Sequence, residues 1–168
     1  MTSGIDQRLN ELQITIPEIA APVANYVPAV RSGNYIYTSG QLPFIDGKLP
    51  VTGKVGVGTG RPDATWAVTP LVDPEVAADL ARQAALNALA AVKALTGSLD
   101  KVVRIVKVVG FVASDPAFTG QPGVINGASN VLGDIFVDRG VHARSAVGVA
   151  VLPLDSPVEV ELIVEVED

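Results

Sequence analysis

Arg144 is the side chain best suited to chemistry in this 168-residue sequence. It closes the polar segment Asp138-Arg139-Gly140-Val141-His142-Ala143 and stands directly before an apolar run. A guanidinium there offers a planar fork of donors that can grip a carboxylate bidentately and fix its orientation. Spacing alone favours the plainer use, a surface or subunit salt bridge, because most arginines are structural or solvated. Glu159 lies fifteen residues on, across a turn expected at Asp155-Ser156-Pro157. Near an arginine it could direct a water or act as a general base; on spacing alone it reads more readily as one more glutamate of a solvated acidic face. His142 is the only histidine and there is no cysteine, which removes histidine metal clusters, thiolate metal sites, disulfides and thiol nucleophiles. A serine-histidine triad would have to use His142 with Ser145 as its nearest hydroxyl. The spacing disfavours it, since the side chains of a strand alternate between faces. Gly56, Gly58 and Gly60 lack the strand-then-helix context and the lysine of a phosphate loop, and read as a plain loop. No metal or cofactor is expected.

The elements that must position these residues follow from periodicity and punctuation. Ser3 and Asp6 predict a short opening helix ending near Gln13, with Ile5, Leu9 and Leu12 on one face. Pro17, Pro22 and Pro28 break the stretch that follows, and Tyr35 to Gly40 predicts a strand. Phe44 to Val72, with Trp66 inside it, is rich in Gly, Pro, Asp and Thr and predicts a long inserted loop within one domain. Asp73, Pro74 and Glu75 start an alanine-rich helix that Gly97 stops. Val102 to Val112 predicts a central strand and Val124 to Phe136 a second long helix. Ser145 to Leu152 and Val158 to Glu167 predict two strands joined as a hairpin. In the last, Glu159, Glu161, Glu165 and Glu167 alternate with Val158, Val160, Leu162, Val164 and Val166.

Composition narrows the functions. Hydrophobic residues make up 48% and charged ones 18%, yet no apolar run nears the roughly 20 residues of a bilayer crossing, so the surplus belongs to a core or a subunit interface. The net charge of -6 works against a phosphate backbone as partner. The first residues lack the basic-then-apolar pattern of a secretory signal, which with the missing cysteines predicts a cytoplasmic protein.

Several segments resemble the YjgF/RidA family of imine and enamine deaminases. Asn25-Tyr26-Val27 with Val30, then Thr38-Ser39-Gly40-Gln41-Leu42-Pro43, look like its N-terminal tyrosine motif and Ser-Gly-Gln strand end. Ala143-Arg144-Ser145-Ala146-Val147, Leu152-Pro153 and Val158-Glu159-Val160-Glu161 look like its C-terminal signature. The resemblance implies a chorismate-mutase-like α+β fold, ferredoxin-like in its antiparallel or mixed sheet packed against two helices. It also implies a homotrimer with a central barrel and ligand clefts between subunits. By the same resemblance Arg144 would hold the carboxylate of a 2-imino or 2-enamino acid, helped by the amide of Ala146, and Glu159 would position the hydrolytic water. Tyr26 would line the cleft from a neighbouring subunit, Ser39 and Gly40 would form it, and Asn126 would be a polar helix residue beside it. The expected reaction releases ammonia and a 2-oxo acid. A carboxylate-binding or regulatory trimer without turnover is the alternative, and an endoribonuclease a remote one. This chain departs from the pattern at Ala146, where the family often has cysteine, in the helix within residues 1–15, and in the long loop at 44–72.

Overall fold

The structure, a computed structural model, describes residues 4–19, 25–58 and 70–168. Helix α1 (Ile5–Glu11) buries Ile5 and Leu9. Its expected Ser3 cap lies outside the described residues. Gly4 stands at the cap position without a side-chain bond, and a remote residue serves the helix start: the Ile5 amide donates to Asp100 Oδ1 at 2.6 Å.

Strands β1 (Ala29–Ser32) and β2 (Tyr35–Thr38) form an antiparallel hairpin around Gly33-Asn34, with Gly33 at φ 59°. β1 was not among the expected strands, although a two-residue Gly-Asn connection is a recognised hairpin signal. Helix α2 (Pro74–Thr96) starts and stops as its sequence predicts. The Asp73 side chain accepts from the Glu75 amide at 2.8 Å, and Gly97 closes the helix in the left-handed region.

Strand β3 (Val102–Ala113) is followed by helix α3 (Gln121–Phe136), strand β4 (Ala143–Val149) and strand β5 (Val158–Val166). α3 begins three residues before the expected Val124, because Pro122 is tolerated in a first helical turn where no amide donor is needed. β4 begins before Ser145, so Arg144 is a strand residue and not the residue preceding one.

The sheet order is β1-β2-β5-β3-β4. The expected β4–β5 hairpin is therefore wrong: β3 lies between them, antiparallel to β5 and parallel to β4. A strand as long and apolar as β3 gains by having both edges paired. A parallel partner requires a crossover, which α3 supplies. The connection from β4 to β5 then passes the end of β3, where the Ser114 amide donates to the Val149 carbonyl and the Ala113 amide to that of Pro157.

α2 and α3 cover one face of the sheet. Val158, Val160, Leu162, Val164 and Val166 of β5 are all buried against them, with Ile105, Val108 and Val112 of β3. The opposite face carries Tyr35, Tyr37, Phe111, Val147, Glu159 and Glu161, none of them fully buried. Around the inserted loop, Val55 is fully buried and bridges both Val72 and Ser114, which ties the described ends of that segment to the sheet. Gly60 and Trp66 lie outside the described residues. No helix among the described residues is long and apolar enough to cross a membrane.

The two long helices touch backbone to backbone at Gly127, where a Cβ would fall on the Ala78 carbonyl group. Gly127→Ala should lower the unfolding free energy by about 2–3 kcal/mol, because backbone cannot step aside. Gly123→Ala on the same helix meets nothing within 4 Å and should be neutral or slightly stabilising. Urea titration of both variants checks the pair, and equal effects would contradict the packing.

Candidate functional site

The β3–α3–β4 crossover lays α3 along the side of β4 from which Arg144 projects. Arg144 pairs in register with Val108, a buried helix-side residue, and so points towards α3. There its Nη1 donates to Asn126 Oδ1 at 2.8 Å and to Ser129 Oγ at 3.2 Å. Asn126 and Ser129 stand one helical turn apart, so both face the same strand. Nη1 carries two hydrogens, and these two bonds use them both. The Nε and Nη2 edge has no acceptor among the described residues, and neither ion pair found among them involves Arg144. That edge has the geometry of a bidentate carboxylate clamp.

β4 is the last strand of the sheet, and successive peptide groups of a strand point to opposite edges. Because the Val149 carbonyl faces β3 to accept from Ser114, the amides of Ala146 and Arg144 point off the free edge. Among the described residues Ala146 is thus an edge donor with no strand partner, two residues beyond the guanidinium.

Glu159 belongs to a different corner. It pairs with Phe111 and projects from the face opposite the helices. Two strand spacings and three residues along the strand separate it from Arg144, a Cα distance of about 14 Å, with the side chains on opposite faces. The structure does not bring Arg144 and Glu159 together within one chain.

Glu159 instead meets the end of β2. The register of β2 on β5 slips there by one residue, since Tyr37 pairs with Ile163 but Gln41 pairs with Val160. Such a bulge re-aims the chain, and Thr38 covers the gap by accepting the Leu162 amide on its hydroxyl at 2.9 Å. Gly40 then lies directly beneath the Glu159 carboxylate, in the space a Cβ would occupy. Ser39 Oγ donates to the Val27 carbonyl at 2.7 Å, which ties this corner to the exposed Tyr26. Glu159 is half-buried, and burial, followed by the neighbouring charge of Glu161, pushes its carboxyl above the ordinary glutamate value.

One chain therefore carries two separate clusters. Arg144, Asn126 and the Ala146 amide form one; Glu159, Gly40, Ser39 and Tyr26 form the other. A cavity of about 280 Å³ between α1 and the end of α3, and one of about 310 Å³ beside Phe118 and Gly120, are lined by none of these residues. Ser129 was passed over by sequence reasoning, and His142 was weighed there only as a triad member and not as a neighbour of Arg144. Ser129 was signalled by its one-turn spacing from Asn126. His142 was signalled by standing two residues before Arg144, on the same side of an extended chain. Its hydroxyl partner is Ser129 at 2.9 Å, and not Ser145.

A family model described as "YjgF/chorismate_mutase-like, putative endoribonuclease" matches residues 6–166. The chain belongs to the YjgF/RidA family. Protein TCP17 of Trypanosoma cruzi is 42% identical over 161 residues, covering 95% of this chain and 92% of that protein. The crystal structure of Atu1372 from Agrobacterium tumefaciens is 45% identical, with a TM-score of 0.81, over 97% of this chain and 92% of that one. E. coli TdcF with bound serine is 26% identical, with a TM-score of 0.57, over 92% of this chain and 96% of that one.

The Glu159 environment has a measurable consequence. Its folded-state pKa exceeds the unfolded one, so its contribution to stability is present at low pH and is lost as pH rises from about 4.5 through the folded value. Glu159→Gln removes that loss. The difference in unfolding free energy between variant and wild type should shift in favour of the variant across this interval; urea titrations at several pH values test it, and a shift towards the wild type would refute the burial argument.

Proposed function

We propose that this chain hydrolyses reactive 2-imino and 2-enamino acids to 2-oxo acids and ammonia, in clefts completed by neighbouring copies of a cytoplasmic homotrimer. The observation that carries the reading is the Nε and Nη2 edge of Arg144, held by neutral partners and facing no acidic group among the described residues. In this reading the edge grips the substrate carboxylate, with the Ala146 amide as a further donor and Asn126 holding the guanidinium in place. Because the Glu159 corner lies on the other face, it meets the substrate from an adjacent copy, together with Tyr26, Ser39 and Gly40. The exposed Tyr35, Tyr37 and Val147 on the open face suit an apolar interface. The serine in TdcF is a small amino acid carboxylate and supports this ligand class.

The chemistry asks little of the protein. Water directed by Glu159 adds its oxygen to the imine carbon while the carboxylate takes its proton. That proton passes to nitrogen to give an amino alcohol; the carboxylate then carries the hydroxyl proton to nitrogen as well, the carbon–nitrogen bond breaks as the carbonyl forms, and ammonia leaves a 2-oxo acid, a 2-enamino acid having first taken a proton at carbon and given one up at nitrogen to become the imine. A raised carboxyl pKa suits a group that must both accept and return a proton. Orientation and charge placement do the rest.

A second reading, a carboxylate-binding trimer without turnover, draws on the Arg144 cluster being complete in one chain without Glu159. It predicts thermal stabilisation by 2-oxobutyrate that is lost in Arg144→Ala. The endoribonuclease of the family description fits less well, since three copies at -6 each carry -18, which opposes RNA binding.

With 2-iminopropionate generated in situ, wild-type protein should accelerate ammonia release and Arg144→Ala should return it to the background rate; equal rates with and without wild-type protein reject the deaminase. Mixed subunits test the composite cleft. Arg144→Ala and Glu159→Gln chains, each inactive alone, should regain about a quarter of wild-type activity when unfolded and refolded together in equal amounts, since in a closed trimer each site joins halves of two neighbours. No recovery would place both halves in one chain.

A further inference from the structure

We propose that His142 and Ser129 are positioning residues that hold Arg144 through a one-way chain of hydrogen bonds, leaving its Nε and Nη2 edge free for a carboxylate. The inference rests on the reading of Arg144 as a carboxylate clamp and assigns that clamp its support.

The direction of the chain is dictated by its far end. His142 Nδ1 lies 2.6 Å from the Gly140 carbonyl oxygen, which can only accept, so Nδ1 carries the hydrogen. In the neutral ring Nε2 is then a bare acceptor, and its partner is Ser129 Oγ at 2.9 Å. The serine hydroxyl must donate to it. With its hydrogen committed there, Ser129 offers lone pairs to the Nη1 of Arg144 at 3.2 Å. Asn126 takes the second hydrogen of Nη1 through its carbonyl oxygen. Every donor therefore points away from the guanidinium edge that remains open, and rotation about the last side-chain bonds of Arg144 would break two bonds at once.

The anchor is firm. Gly140 is buried, and a Cβ there would overlap the backbone of Leu132, so its carbonyl is fixed against α3. His142 thereby transmits the position of a buried turn to a half-buried arginine. Its role differs from a simple filling contact because it depends on which ring nitrogen carries the hydrogen. The opposite tautomer would turn the serine hydroxyl around and set its hydrogen against the arginine donor.

As the only histidine in the chain, His142 can be read directly. Long-range proton–nitrogen correlation spectra at about pH 8 should show hydrogen on Nδ1 and none on Nε2. Binding of 2-oxobutyrate to wild type, Arg144→Ala, Ser129→Ala, His142→Asn and His142→Gln gives the second readout, with far-UV circular dichroism confirming the fold of each. Asparagine can reproduce the bond to Gly140 but offers Ser129 no acceptor, whereas glutamine offers one at the place of Nε2. Ser129→Ala and His142→Asn should weaken binding about tenfold, a factor worth about 1.4 kcal/mol, and His142→Gln should stay near wild type. Hydrogen on Nε2, or asparagine binding like wild type while glutamine fails, would overturn the chain. If Arg144→Ala loses binding while Ser129→Ala and His142→Asn keep it, the support is wrong and the clamp stands. If wild type does not bind, or Arg144→Ala binds equally, the clamp and its support fall together.

Discussion

The pairing of β3 on both edges is the constraint from which the rest of this molecule follows. A twelve-residue apolar strand leaves too many amides to be left open, so β5 takes one edge and β4 the other. β4 can run parallel only because α3 carries the chain back over the sheet. That crossover brings Asn126 and Ser129 to Arg144, and it also moves Arg144 two strands from Glu159. The same arrangement leaves β4 at the edge of the sheet, which is why the Ala146 amide has no strand to bond among the described residues. The contents of the arginine cluster and the absence of a carboxylate from it have one cause.

How much of this could be read from the residues differs sharply between local and long-range features. The start and stop of α2 were legible because Asp73, Pro74 and Gly97 each act within a turn of their own position. The two-faced character of β5 was legible because alternation is a property of one strand. The partner of β5 was not, since eight residues between β4 and β5 fit a loose hairpin as well as a passage across the end of β3. Choosing between them depends on β3, which lies some fifty residues away in sequence. The hairpin expectation placed Arg144 beside Glu159, and the sheet order separates them. The grouping of Tyr26, Ser39, Gly40 and Glu159 depends on a one-residue slip in register that no periodicity announces. Asn126 was reached through family likeness, while Ser129 was missed because its only signal, the one-turn spacing from Asn126, has meaning once Asn126 is known to face Arg144.

Gly40 shows how one residue type can be required for different reasons. Glycines at Gly33 and Gly97 stand at positive φ, where a side chain is strained. Gly40 is not among them; it is required for room, because the Glu159 carboxylate lies where its Cβ would be. Any larger residue would push that carboxylate towards water and remove the burial that raises its pKa. The bulge, the glycine and the perturbed acid are therefore one device, in which a register slip makes space and the space desolvates a carboxyl.

The electrostatics of the arginine cluster run against the overall charge of the chain. Two arginines among the described residues pair with acids. Arg31 bonds Asp168 at 2.7 Å, and Arg8 lies 3.7 Å from Glu11. Arg144 bonds an amide oxygen and a hydroxyl instead. Neutral oxygens restrain a guanidinium without cancelling its charge, so the attraction for an anion remains undiminished while the freedom to rotate is removed. Replacing either partner by a carboxylate would keep the geometry and satisfy the charge internally, which would spend the attraction on the protein itself. A site meant for structure gains by such neutralisation; one meant for a ligand must avoid it, and the choice of Asn126 and Ser129 over acidic residues is where this fold makes that distinction.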